Sequence, residues 1–152
     1  NYAKNQYAGR NTNNVYIRYA DVLLIKAEAE NELNGPTSEA YEAINQVRRR
    51  AYRHFPVTAA SEDDLPTGLT QEEFRKRLQR ERFNEFILEG ERWFDLVRWH
   101  ILVSTVSKEK SGISKKNYRF PIPASQISLN PNLKQNWGYD GETSNCPYEN
   151  YN

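Results

Sequence analysis

LTQEEFRKRLQRERFNEFILEGERWFDLVRWHI (residues 69–101) is the stretch around which the chain is organised. Thr70 as N-cap and Glu73 three residues later form a capping box, flanked by Leu69 and Phe74 as a hydrophobic staple. From Phe83 the apolar residues recur at helical spacing through Phe86, Ile87, Gly90, Phe94, Val97 and Ile101. This pattern predicts a long central helix resting on a core. Phe74, Leu78 and Leu88 project from the opposite side, together with Glu81 and Glu85. A helix apolar on both sides is covered on both sides, so these carboxylates are expected to be partly buried. Buried carboxylates need partners, and the same segment offers Arg77, Arg80, Arg82, Arg92 and Arg98. Gly90, on the stripe itself, marks either a kink between two helices or a point of close helix approach.

Upstream, residues 16–34 predict a second strong helix. Val22, Leu23, Leu24 and Ile25 run nearly round it, and small Ala20, Ala27 and Ala29 permit close neighbours. Gly35 ends it and Pro36 forbids continuation. Thr37 or Ser38 then caps a third helix to about Tyr52, with Ala40, Ile44, Val47 and Ala51 as its inward stripe. The two helices make a hairpin of tetratricopeptide size. One such repeat cannot bury its own apolar face, so either the central helix substitutes for missing neighbours or they lie elsewhere in a longer protein.

The connection at residues 53–68 is long for a compact domain and carries an acidic run, Glu62-Asp63-Asp64. Residues 104–116 read as a polar loop, and 118–123 as extended chain, a lone strand or a polyproline segment. Ser125 is a candidate cap for a short helical turn, and Asn130-Pro131-Asn132 is a turn. Beyond Asn136 the chain is aromatic, polar and irregular. The expected fold class is all-α: a tetratricopeptide-like hairpin, a long central helix and an irregular, extended C-terminal segment.

Within 152 residues of net charge +1, the only basic triplet is Arg48-Arg49-Arg50, which a solvated or ion-paired helix end explains without nucleic acid. No apolar run approaches the ~20 residues of a membrane span. The chain has no methionine, so residue 1 is not read as a natural translation start, and the chain is expected to be a processed product, an expressed segment or a fragment. Its single cysteine, Cys146, cannot form an internal disulfide.

For catalysis, Glu81 with Glu85, or Glu85 with Glu89, are the carboxylate pairs at i,i+4 spacing, about 6 Å apart at Cβ. That separation is of the order used in glycoside hydrolysis. A general acid needs a raised pKa, however, and nearby arginines lower it, so a structural ion-pair network is the preferred reading. His54 and His100 lack the Glu-x-x-His spacing of a bundle metal site, and each reads as a satisfied or surface histidine. No metal, nucleotide or nucleophile motif is present, so no metal and no cofactor is assigned. Trp93 and Trp99 read as core or core-edge residues. Trp137, Tyr139, Tyr148 and Tyr151 form the one aromatic group without an obvious core role. For these, stacking on a sugar ring and docking on the helical body both stand open.

Three stretches together carry a family resemblance. ER..EF..EGERWFDLVRW, preceded by IRYADVLLIKAEAENELNG and followed by YRFPIPASQISLNPNLKQNWGY, resembles the C-terminal region of the SusD/RagB-like family (starch-utilisation-system D proteins), in the family's order from about Tyr16 to Tyr139. By match to that signature, Glu81, Arg82, Glu85, Glu89, Gly90, Arg92, Trp93, Asp95 and Arg98 are implied to be structural. The resemblance implies a parent lipoprotein at the cell outer membrane, held by an N-terminal lipid anchor outside this chain, with an N-terminal repeat-containing body. It further implies oligosaccharide capture without hydrolysis and delivery to a SusC-like TonB-dependent transporter. No family glycan contact maps onto a position here, which leaves Trp137, Tyr139 and Tyr148 as the sugar-stacking candidates on composition alone. Two alternatives stay open: a helical-repeat module binding a peptide or protein groove, and a glycoside hydrolase using Glu81 and Glu85.

Overall fold

The computed structural model describes residues 16–139 and 145–151. It divides into two compact units, Asn1–Glu85 and Phe86–Asn152. Every regular element among the described residues is helical.

In the first unit, α1 (Tyr19–Asn34) and α2 (Ser38–Ala51) form the antiparallel hairpin, and α3 (Gln71–Glu85) packs on α1. The local signals act as the sequence dictates. Gly35 donates its N–H to the Asn31 carbonyl (3.0 Å), closing α1. Thr37 Oγ1 accepts the Ala40 N–H (3.3 Å), opening α2. At α3, Thr70 Oγ1 accepts from the Glu73 N–H (3.3 Å), while Glu73 accepts from the Thr70 N–H (2.8 Å), a reciprocal capping box.

The core of this unit is Leu24 and Ala27 of α1, Ala40, Ala43, Ile44 and Val47 of α2, Leu65 of the connection, and Phe74 and Leu78 of α3. Tyr41 meets Phe74 edge-on at 5.1 Å between ring centroids. Two buried amides, Asn31 and Asn45, bond to distant backbone. Asn31 and Gln71 exchange side-chain-to-carbonyl hydrogen bonds at 3.2 and 2.5 Å. Asn45 Oδ1 accepts the Leu65 N–H at 2.9 Å, anchoring the long connection.

Expectations are corrected at several points. α1 is packed on one side only: Tyr19, Val22, Ile25 and Leu33 are exposed, so the apolar residues encircling it are not all covered. Ala51, assigned to the inward stripe of α2, is exposed. The long central helix is two helices. α3 stops at Glu85, and α4 (Glu91–Arg98) restarts after a turn. In that turn Leu88 takes φ 65° and Gly90 φ 88°, left-handed backbone that no helix continues through. Gly90 is thus the boundary between two helices. The stripe counted from Phe83 to Ile101 does not lie on one core either: Ile87 and Phe94 are exposed, Phe86 is buried, and Leu88 on the opposite side is wholly exposed.

The second unit holds α4, α5 (Leu102–Val106), a 3-10 turn (Lys115–Tyr118) and α6 (Ala124–Leu129). Thus α5 begins where a polar loop was expected two residues later. Ser125 lies inside α6, whose N-cap is Pro123. Between the 3-10 turn and α6 the chain is extended without strand pairing. The core here is Leu96, Leu102, Tyr118 and Tyr148, with Trp93, Val97, Ile101 and Trp137 packed around it.

Since Leu88 is strained and wholly exposed, Leu88→Gly should leave stability unchanged or raise it, whereas Gly90→Val should cost about 1–2 kcal/mol in urea unfolding. A continuous helix through this turn would give the reverse order.

Candidate functional site

The signature residues of the first unit form an ion-pair lattice that ties α3 to both helices of the hairpin. Glu81 is buried and accepts from Arg48 Nη1 at 2.8 Å. Arg82 is buried and donates to Asp21 Oδ1 at 2.7 Å. The Glu85 carboxylate, its side chain 6% exposed, is gripped by Arg18 from the entry to α1 and by Arg50 from the end of α2. Arg18 Nη2 also donates to the Glu85 backbone carbonyl at 2.6 Å, satisfying a carbonyl at the end of α3. The carboxylates are therefore buried and arginine-paired as expected, but the partners differ. Glu81 and Glu85 are held by Arg18, Arg48 and Arg50 of the hairpin, and not by arginines of their own segment.

A second cluster fixes the long connection to α2. Arg49, 4% exposed at its side chain, donates to Asp64 through Nε (2.7 Å) and Nη2 (2.5 Å), to Glu42 at 2.9 Å, and to the Val57 carbonyl at 2.9 Å. The bidentate arginine holds the Asp64 carboxyl below its usual range, against the opposing effect of burial. The Arg49 guanidinium is held correspondingly above its own. His54 Nε2 lies 2.6 Å from Asp63 Oδ2.

The remaining signature residues lie in or before α4. Asp95 is buried and accepts from Arg98 Nε (3.0 Å) and Nη2 (2.9 Å), an i,i+3 pair. The Arg98 guanidinium lies 4.5 Å over the Trp99 ring. Trp93 is half-buried at the core edge and stacks on exposed Phe120 at 5.2 Å. Arg92 is half-buried and Glu89 exposed. Glu81, Arg82, Glu85, Gly90, Trp93, Asp95 and Arg98 thus lie in helix pairing, at helix ends or at core edges.

The three sugar-stacking candidates part company. Tyr148 is buried, 5.6 Å from Tyr118 and 5.3 Å from Tyr151 between ring centroids; its ring is used by the core. Burial pushes the phenols of Tyr118 and Tyr148 up from the usual range. Trp137 is half-buried and meets Tyr148 edge-on at 6.3 Å. Tyr139 is half-buried, with its hydroxyl donating to the Arg119 carbonyl (3.1 Å) and Lys116 Nζ 5.2 Å from its ring. Gly138 between them runs so close to the 3-10 turn that a Cβ there would sit 2.6 Å from Lys116 Cβ. Exposed Phe94 and Phe120 were missed as surface aromatics. The first was counted in the helical stripe and the second in an extended segment.

Comparison with known proteins defines the class. A model of the SusD family matches residues 1–117. Two SusD-like proteins of Formosa agariphila are 38% and 36% identical over 128 and 129 residues, covering 80% and 84% of this chain and 23% and 25% of their own lengths. The starch-binding protein SusD of Bacteroides thetaiotaomicron is 32% identical over 130 residues, covering 80% of this chain and 21% of that protein. The crystal structure of a SusD homolog from Bacteroides thetaiotaomicron superposes with a TM-score of 0.74 at 36% identity, over 88% of this chain and 30% of that one. An all-α, tetratricopeptide-like chain with these signatures belongs to the SusD family. It spans about a quarter of the length of the curated relatives it matches.

Two measurements probe the lattice. Glu85→Gln should lose about 1–3 kcal/mol in denaturant unfolding, and an Arg50→Ala/Glu85→Gln double-mutant cycle should return a coupling of at least about 0.5 kcal/mol. Asp64 carries a depressed carboxyl, so the unfolded chain takes up its proton first as pH falls. The stability from the Arg49 pair is complete above the ordinary carboxylate pKa of about 4 and is lost below it. The melting temperature should drop below about pH 4, and Asp64→Asn should flatten that slope.

Proposed function

We propose that this chain is the C-terminal region of a longer, non-catalytic protein that captures oligosaccharides at the outer face of the bacterial outer membrane. The parent is held there by an N-terminal lipid anchor outside this chain and passes its glycan to a SusC-like TonB-dependent transporter. The observation that carries this reading is the 32% identity to a starch-binding protein across 80% of the chain, coupled to the 36%-identical SusD homolog of matching fold. The exposed apolar residues of α1 support the longer parent: a lone hairpin leaves Val22, Ile25 and Leu33 uncovered, which further helices would bury.

Binding without turnover is supported by the state of the acids. A hydrolase needs one carboxyl free to give and take a proton beside the substrate. Glu81 and Glu85 are buried and occupied by Arg48, Arg18 and Arg50. As sugar contacts within this chain, Trp137 and Tyr139 are the remaining candidates, since Tyr148 is in the core.

A panel of oligosaccharides offered to the full-length protein should yield a ligand that calorimetry detects and chromatography recovers intact. Tyr139→Ala should weaken that ligand roughly 3- to 10-fold if its ring stacks on sugar. Glu85→Gln should leave affinity unchanged. New reducing ends that vanish in Glu81→Gln or Glu85→Gln would establish the hydrolase instead. Binding of a peptide and of no glycan would establish the helical-repeat interaction module.

A further inference from the structure

The connection between α2 and α3 gathers a donor set that the lattice does not use. We propose that His54, Glu62 and Asp63 form a binding site for a divalent cation of the zinc class. One imidazole nitrogen and two carboxylate oxygens, one ligand atom from each residue, lie within 4.8 Å of one another. His54 Nε2 and Asp63 Oδ2 are 2.6 Å apart, within hydrogen-bonding distance. A cation about 2.1 Å from each would open the pair to roughly 3.4 Å, a small side-chain movement. Glu62 is exposed and makes no ion pair or hydrogen bond among the described residues, so its carboxylate is available to swing in.

The backbone carrying these ligands is held from below. His54 donates its N–H to the Arg49 carbonyl at 2.8 Å, in the last turn of α2. Arg48 Nε donates to the Asp63 carbonyl at 2.8 Å, and Arg49 clamps Asp64, the next residue. Those arginines are committed elsewhere, to Glu81 and to Glu42 with Asp64, so they do not neutralise the two carboxylates of the cluster. The residues at both ends of the site are thereby fixed before a metal arrives, which lowers the ordering cost of binding.

Ligand chemistry selects the cation. An imidazole nitrogen favours zinc and its transition-metal neighbours over calcium and magnesium, which take oxygen shells of six or more. Three protein ligands leave the fourth tetrahedral position to water, and the site opens beside a surface hollow lined by Arg53, Phe55, Pro56 and Ala59. This inference is independent of the glycan reading.

The test is calorimetric titration of metal-stripped full-length protein with zinc chloride, repeated with calcium chloride. Wild-type protein should take up one zinc equivalent that His54→Gln loses, and binding cobalt at that site should give visible tetrahedral bands absent from the variant. Glu62→Gln, at an exposed position where the fold is indifferent, should weaken the site roughly tenfold or more. His100→Gln should bind as wild type. Equal zinc stoichiometry in wild type and His54→Gln would overturn the site, as would unaltered affinity in Glu62→Gln. Preferential calcium uptake by wild type, retained in His54→Gln, would overturn the assigned cation class.

Discussion

The clamp on Glu85 is the interaction on which the first unit depends. Its carboxylate sits at the end of α3, is nearly excluded from water, and is reached by one guanidinium from the entry to α1 and one from the end of α2. A buried carboxylate without a partner would cost several kcal/mol, so only an arrangement bringing both arginines to that point is tolerated. Arg18 does a second job by satisfying the carbonyl of the same residue. The last turn of α3 is thereby closed at the position where the helix stops. Arg48 with Glu81 and Asp21 with Arg82 repeat the logic along α3, each joining it to a different helix of the hairpin. Such pairs add little net stability over apolar packing. Their effect is on register: a one-residue rotation of α3 would strand its charges against apolar neighbours.

This arrangement also explains what the sequence disclosed and what it withheld. Caps and stops are encoded within four residues, so Gly35, Thr37 and the Thr70/Glu73 box were legible, as was the hairpin they delimit. The burial of Glu81 and Glu85 could be read from their sharing a side with Phe74 and Leu78. Their partners could not, because Arg18 is 67 residues from Glu85 and Arg50 is 35, and no local pattern spans such distances. The apolar stripe through residue 101 misled for a related reason. Periodicity records where apolar side chains recur along an ideal helix; it does not register a backbone reversal such as that at Leu88 and Gly90.

The irregular tail shows the same division. Its aromatic composition was plain, yet composition does not say which ring is used for packing. Leu96 and Leu102 present more apolar surface than short α4 and α5 can cover mutually, and Tyr118 and Tyr148 supply the rest. That is why Tyr148 is a core residue although it lies in a segment without helix. The histidine-carboxylate group at residues 54, 62 and 63 was hidden for a different reason. Its spacing follows a pinned loop, whereas the familiar metal motifs follow helix or hairpin geometry.

The lattice also fixes what the paired acids of α3 are committed to. An acid-base catalyst must change protonation and partner within each cycle, so its surroundings have to tolerate both of its states. The Glu85 carboxylate is instead held by two guanidiniums in a single arrangement. Replacing the carboxylate, as in Glu85→Gln, would weaken its pairs with Arg18 and Arg50 and loosen the hydrogen bond that closes α3. These contacts hold the end of α3 in one rigid frame against both helices of the hairpin. A rigid frame lowers the cost of any binding event it supports, because every rotor fixed beforehand is entropy that binding does not have to remove.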